Sequence, residues 1–172
     1  SNSTSNNTCN FSHIHKGDDR MTTIEEIFTE YPDSWLLCLP GYQQKTINEL
    51  YCQLGDYEQV AQAWLTASMS TNVPFGAQKG HSIFYEKVLD EIEAFFSGDE
   101  RYSENRLAIL KESGAAQNYI VGAISVALAP ILGTSSAFLS PIIAIVLVTI
   151  AKMGINAWLA ARKEKRALKD NQ

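Results

Sequence analysis

The chain lacks the motifs on which most nucleotide-binding and hydrolytic enzymes depend. None of the patterns G-x-x-x-x-G-K-S/T, G-x-G-x-x-G and G-x-S-x-G occurs in its 172 residues, so the loops that cradle phosphates or present a nucleophilic serine are missing. His81 stands alone in a predicted loop, where we expect a surface side chain. Glu91 and Glu93 lie two positions apart on a predicted helix and face apart. We therefore expect neither an enzyme nor a bound cofactor or metal.

Cysteine is scarce. Cys9, Cys38 and Cys52 make an odd number and have no metal-ligand spacing, which favours free thiols in a reducing compartment over a disulfide framework. Cys38 and Cys52 have apolar neighbours and no adjacent basic residue, so we expect inert, buried thiols.

Residues 1–20 contain no apolar run of the kind that forms a signal peptide. They are rich in Ser, Asn and Thr, a composition that cannot bury a core, and we expect a disordered leader. Met21 precedes a capped helical pattern and is a candidate start of the native protein.

Charge is distributed unevenly along the chain. Residues 21–112 carry a net charge of −9, whereas residues 113–172 carry +4. An acidic body excludes nucleic acid as its main partner, because phosphate binding needs a basic surface. The asymmetry predicts a basic tail that meets a negatively charged surface.

Strand-like alternation is missing too, and the apolar periodicity predicts an all-α protein. Tyr57, Val60 and Leu65 form one face of a predicted helix, and we expect Trp35 to Leu39 to be core or, alternatively, a docking patch. The acidic face of the helix predicted from Ser82 is either a solvated surface or an acidic docking site. The predicted helices cover residues 22–32, 45–54, 56–68, 82–98 and 103–112, with a loop at 69–80.

The C-terminal third is the most unusual part of the sequence. Between Gly114 and Ala161 no acidic residue occurs, and Lys152 is the only formal charge. Two apolar segments flank a Gly-Thr-Ser-Ser break at 133–136, and each approaches the ~20 residues that a membrane-spanning helix needs. These features predict a transmembrane-type helical hairpin, whose tip Pro130 and Pro141 make irregular.

The predicted layout has four parts. A disordered leader at 1–20 precedes an acidic helical domain at 21–112, a transmembrane helical hairpin at 113–161 and a basic cytoplasmic tail at 162–172.

Polar and small residues form stripes on both arms of the hairpin. Asn118 and Lys152 lie nearly equally far from the turn, about 25 Å along a helix at 1.5 Å per residue, where a lysine reaches headgroups. The stripes either pack the two arms together or, in an assembly of several copies, line a water-filled pore. This predicted membrane seam consists of Asn118, Gly122, Ser125, Thr149, Lys152 and Asn156.

The residues after the second arm are those expected at a cytoplasmic membrane surface. Cationic flanks remain on the cytoplasmic side and are attracted to anionic lipid. We therefore expect both termini in the cytoplasm, with a bacterial inner membrane as the location. The alternative is the end of an ordinary soluble helix. The predicted interfacial anchors are Trp158, Arg162, Lys163, Lys165 and Arg166.

Together these features predict a membrane-anchored helical interaction or effector protein, a layout shared by small bacterial membrane effectors and lysis proteins. Its hairpin inserts in the anionic inner leaflet and self-associates to permeabilise the bilayer, while the acidic domain binds an unidentified protein partner. The alternative is a soluble all-α scaffold or adaptor whose apolar hairpin is buried in an oligomer.

Overall fold

The regular structure of the described residues is helical throughout. The computed structural model describes residues 23–69, 77–112 and 116–171, and no strand occurs within these ranges. The predicted all-α class is therefore confirmed. The predicted leader and the central part of the predicted loop, residues 70–76, lie outside the described residues.

The elements follow one another with short connections. The first part of the chain comprises two 3-10 helices, Glu25–Phe28 and Pro32–Cys38, followed by α1 (Gly41–Leu54), α2 (Tyr57–Met69) and α3 (Ala77–Ser97). The second part comprises a 3-10 turn at Glu100–Tyr102, α4 (Ser103–Lys111), α5 (Gln117–Leu132), α6 (Ser136–Met153) and α7 (Ile155–Asp170).

Helices α1 and α2 form the short helical pair that the sequence predicts. Gly55 ends α1 in the left-handed conformation at φ 70°, which glycine adopts without a steric penalty. Asp56 then accepts a hydrogen bond from the backbone N–H of Glu58 at 3.3 Å, the usual way to satisfy a free donor at a helix start.

Helix α3 begins earlier than its sequence pattern indicates. The prediction of a loop up to residue 80 was wrong, because α3 starts at Ala77 and passes through Gly80. Ser82 is therefore inside the helix and does not cap it. His81, expected on the surface, is only 6% exposed.

Helices α5 and α6 form an antiparallel hairpin at the predicted break. Gly133 ends α5 at φ 70°, and the Ser135 hydroxyl caps α6 by accepting a hydrogen bond from the Phe138 N–H at 3.1 Å. The predicted irregular tip was wrong, because Pro130 and Pro141 both lie inside continuous helices. The carbonyls that lose a partner belong to residues 126 and 137, which are both exposed and can be hydrated.

The second arm does not continue to residue 161 as predicted. It is interrupted at Gly154, whose φ of 90° and ψ of 140° turn the chain. This conformation is essentially restricted to glycine. The turn lets α7 fold back against α3 and does not extend the axis of α6.

The core is organised around α6. This helix packs most extensively against Pro32–Cys38, α5 and α2. Every side chain from Ile142 to Val148 is at most 2% exposed. One buried cluster runs from Ile27 to Trp158 and so contains residues from both sides of the predicted boundary at residue 112.

The Trp35 to Leu39 run belongs to this core with one exception. Trp35, Leu36 and Leu39 are at most 5% exposed, but Leu37 is 71% exposed. The expectation that Leu37 is buried was wrong. A 3-10 helix has three residues per turn, so the Leu37 side chain points to a different side of the helix from those of Leu36 and Trp35.

Candidate functional site

Helix α6 is the candidate membrane span of this fold. Among the described residues it is the one helix with the length and composition to cross a bilayer: 18 residues with a mean hydropathy of 2.0. Its length is about 27 Å at 1.5 Å per residue, close to the ~30 Å hydrocarbon layer. The other arm, α5, has 16 residues and is shorter. A single span is a weak indication, since the core helix of a soluble protein has the same properties, and 56% of α6 is buried inside the fold.

Two serines of the hairpin meet across its interior. The Ser140 hydroxyl lies 3.2 Å from the Ser125 hydroxyl, and Ser125 donates to the Val121 carbonyl at 2.7 Å. Ser125 is 1% exposed, so this pair joins α5 to α6. Gly122 does not mark a close approach of two helices, because a Cβ added there would meet nothing within 4 Å.

The other predicted seam residues have separate surroundings. Asn118 is exposed at the start of α5 and lines a shallow cleft with Leu37 and Cys38. Thr149 donates to the Ile145 carbonyl of its own helix at 3.4 Å. Asn156 is exposed and lies on α7, beyond the turn that ends α6.

Lys152, the single charge of the hairpin, lies over two tyrosine rings. Its Nζ is 5.2 Å from the ring centroid of Tyr51 and 4.7 Å from that of Tyr57, and the two rings stack 4.2 Å apart. Such cation–π contacts stabilise an exposed lysine by about 0.5–1 kcal/mol. Burial and the adjacent Asp33 carboxylate, to which the Tyr57 hydroxyl donates at 3.3 Å, raise the pKa of Tyr57. The charge is thus held at the surface by α1 and α2.

Arg162 joins α7 to the acidic face of α3. Its guanidinium bonds to three carboxylates at once: Glu86 at 3.2 Å, Asp90 at 2.5 Å and Glu93 at 3.4 Å. The side chain is 10% exposed. A guanidinium suits this role because its five donors form a planar fork.

Two further cations complete this contact. Lys165 bonds to Glu86 at 3.1 Å, and Arg166 bonds to Glu93 at short range. Burial alone raises the pKa of Glu86, but the hydrogen bonds and charges of Lys165 and Arg162 outweigh it, so this pKa lies below its ordinary value. We call the six residues the latch: Glu86, Asp90 and Glu93 on α3, and Arg162, Lys165 and Arg166 on α7.

The remaining predicted anchors differ from one another. Trp158 is 6% exposed and packs in the core. Lys163 is exposed and makes no ion pair with any described residue. Three of the five predicted anchors therefore belong to the latch. Their carboxylate partners on α3 were not predicted from the sequence.

The cations that precede the hairpin also have partners within the fold. Arg101 bonds to Glu91 at 3.1 Å, and the Tyr102 hydroxyl donates to the same carboxylate at 2.6 Å. Arg106 donates to the Phe95 carbonyl at 2.7 Å, which satisfies an acceptor near the end of α3. Glu91 and Glu93, predicted to face apart, do have separate partners.

The outward face of α5 is apolar and exposed. Tyr119, Val126 and Ile131 are between 45% and 61% exposed, and no charged residue occurs in α5. Exposed apolar patches of this type mark contacts with lipid or protein.

The remaining cysteine and histidine side chains of the described residues differ in their surroundings. Cys52, expected in the core, is exposed, whereas burial raises the pKa of the half-buried Cys38 thiol. Neither ring nitrogen of His81 has a hydrogen-bond partner among the described residues. Within residues 23–69, 77–112 and 116–171, no group of His, Cys, Asp and Glu side chains could hold a metal ion.

No family model, curated protein or solved structure shows significant similarity to this chain. The features that bear on function are therefore the chain's own: the enclosed apolar helix α6, the latch and the exposed face of α5.

Proposed function

We propose that this protein is a membrane-associating helical effector that acts without catalysis. In this proposal α6 is stored inside a shell formed by α5 and the other helices, and the hairpin α5–α6 enters a bilayer when the shell opens. Because α6 is apolar on every side, hydrocarbon can replace the shell around it without leaving a polar face in lipid.

The observation that carries the proposal is the hydrogen bonding of the hairpin's hydroxyl groups. Ser125 donates to Val121, Ser140 to Ser136 and Thr149 to Ile145, each within its own helix. These groups need no partner from the shell. In lipid, where each unsatisfied polar group costs several kcal/mol, these three hydroxyl groups would therefore remain satisfied.

The charges of the hairpin and of α7 determine on which side of the membrane the ends of the inserted hairpin lie. Lys152 lies in the last turn of α6, where its long side chain can reach the headgroup layer. The basic α7 remains on the cytoplasmic side, which gives a protein with both termini in the cytoplasm, in a bacterial inner membrane. Assembly of several copies through the polar seam would permeabilise the bilayer.

The test is alkaline carbonate extraction of membranes from cells that express the full chain. Insertion predicts that the protein stays in the membrane pellet, whereas complete release into the supernatant would overturn it. Dye leakage from liposomes then tests permeabilisation, with Lys152→Ala and Asn118→Leu as probes. If neither substitution alters leakage, these residues do not line the pathway.

A second candidate is a soluble scaffold or adaptor that self-associates through α5. It is favoured by the enclosure of α6, together with an exposed, uncharged face on α5. Here the protein stays in detergent-free buffer as an oligomer, and Val126→Glu dissociates it by placing a charge in the interface. A monomer at all concentrations, measured by light scattering, would exclude this candidate.

A further inference from the structure

Half of the charged side chains of the latch remain well within reach of solvent. The side chains of Asp90, Lys165 and Arg166 are 54%, 52% and 52% exposed. Exposed ion pairs are weak, and dissolved salt screens them. These three groups can therefore exchange partners, whereas Arg162 and Glu93 are 10% and 7% exposed.

Helix α7 also carries cations that the latch does not use. Lys163 and Lys169 are exposed and make no ion pair with any described residue. They can meet an external anionic surface while the latch is still closed. The same helix contributes Trp158 to the core, a residue type that prefers the membrane interface when it is released from a fold.

The latch covers a route to the central helix. A crevice of about 210 Å³ lies between α7 and the helices α2, α3 and α6. Val146 and Thr149 of α6 lie at its wall, opposite Lys165 and Arg162 on α7. Movement of α7 away from α3 would therefore uncover part of α6.

We propose that α7 is a transferable arm, whose cations exchange the carboxylates of α3 for the phosphates of an anionic bilayer. This rests on the proposed membrane function and names the partner that opens the shell. The cations of α7 are complementary to an anionic surface, and Lys163 and Lys169 make the first contact. Lipid is favoured over other polyanions because the arm directly follows α6, the one helix of near-spanning length among the described residues.

The exchange predicts opposite effects for a carboxylate of the latch and for a cation of the arm that has no partner on α3. Glu86→Gln removes a competitor for the arm, so binding to phosphatidylglycerol vesicles should become about two- to fivefold tighter, the range of one to two exposed ion pairs. Lys163→Gln removes a cation from the arm without breaking a pair with a described residue. It should weaken binding up to about fivefold, which corresponds to ~1 kcal/mol for a basic residue near an anionic membrane.

The matched control is Glu104→Gln. Glu104 is exposed on α4 and makes no ion pair with the described residues, so its neutralisation changes net charge as Glu86→Gln does but leaves the latch intact. The double variant Glu86→Lys with Lys165→Glu restores one pair with reversed sign and should bind more weakly than the native chain. Circular dichroism verifies that each variant is folded.

Binding is measured by co-sedimentation with phosphatidylglycerol vesicles, with phosphatidylcholine vesicles and single-stranded DNA as comparisons. The exchange is overturned if Glu86→Gln and Glu104→Gln act equally or if Lys163→Gln has no effect. It is also overturned if DNA binds the Glu86→Gln variant as tightly as anionic vesicles do.

A salt wash followed by carbonate separates this inference from the proposed function. If the variants show the opposite effects but salt releases all of the protein, the arm binds lipid and hairpin insertion fails. If carbonate-resistant protein forms equally in all variants, insertion stands and the exchange fails.

Discussion

Alanine substitutions around α6 should destabilise the protein whichever side of the helix they affect. Ile142, Leu147 and Val148 point in directions about 100–140° apart, since successive residues turn by ~100°. All three are 0% exposed. A surface helix would tolerate substitution on at least one of these sides, whereas an enclosed helix tolerates it on none.

The expected magnitudes follow from the contacts that are lost. Ile or Leu to Ala in a core costs about 2–5 kcal/mol, which includes the cavity left behind. Val148→Ala removes two methyl groups, about 1.6 kcal/mol in transfer energy before any cavity term. Each change is a large part of the ~5–15 kcal/mol by which domains of this size are stable. The milder Ile142→Val, at about 0.5–1.5 kcal/mol, remains measurable if Ile142→Ala does not fold.

The assay is equilibrium urea unfolding in detergent-free buffer, followed by circular dichroism. Val126→Ala is the control, because Val126 lies on the neighbouring hairpin arm and is 61% exposed, so it should alter the free energy of unfolding by less than about 0.5 kcal/mol. A cost below ~0.5 kcal/mol at any of the three positions would refute the enclosure of α6. So would a requirement for detergent to keep the native chain in solution.

Three other changes test the turn, the lysine and the latch. Gly154→Ala should lower the free energy of unfolding by about 1–3 kcal/mol, the usual cost of a strained backbone conformation. The added Cβ would meet nothing within 4 Å, so the cost comes from the backbone alone. Thermal unfolding measures the change, and an unchanged Tm would contradict the backbone argument. Lys152→Met should lower the free energy of unfolding by about 0.5–1 kcal/mol, because the contacts with Tyr51 and Tyr57 are lost. Lys163 makes no ion pair with a described residue, so Lys163→Met should lower it by less when the two variants are compared by urea unfolding. Folding lowers the pKa of Glu86 from 4.5. The contribution of Glu86 to the free energy of unfolding is therefore complete above pH 4.5 and is lost as the pH falls through the lower pKa of the folded state. The other titratable and charged groups that face this region are Glu58, Tyr85, Asp90, Glu93, Arg162, Lys165, Arg166 and Lys169. When unfolding is measured from pH 6 to pH 3, Glu86→Gln should lose less stability than the native chain. Parallel curves for the two proteins would contradict the assignment.

The elements that the sequence predicts well are those fixed by local interactions. Gly55 and Gly133 both adopt φ 70°, and each ends a helix at the predicted position because glycine alone adopts that conformation freely. The Ser135 cap and the Asp56 cap are equally local, since each side chain bonds to a backbone N–H two or three residues away.

The errors occur where distant contacts decide the outcome. Gly80 signals a loop by composition, yet it lies within α3, at a cost near 1 kcal/mol relative to alanine. Burial of Tyr85 and Val88 along one side of that helix offsets this cost. Gly154 is the reverse case: a continuous apolar pattern predicts one long helix, but the packing of α7 on α3 requires a turn.

The latch was predictable in its parts and not in its pairing. Glu86, Asp90 and Glu93 have the spacing i, i+4, i+7, and Arg162, Lys165 and Arg166 have the spacing i, i+3, i+4, so each set lies on one side of its helix. The paired residues are 69 to 79 positions apart in the chain. Complementary stripes of opposite charge were the available signal, but spacing along each helix does not reveal which surfaces meet.

The internal pairing changes how the charge asymmetry of the sequence is interpreted. A tail of +4 beside a body of −9 suggests attraction to a negative surface outside the molecule, but the body already supplies such a surface on α3. Attraction of α7 to a bilayer is therefore a difference between two similar interactions, so it is small while the latch is closed. It increases when the carboxylates of α3 are neutralised. For this reason substitutions on α3, which leave every cation of α7 in place, are the more informative test of membrane attraction.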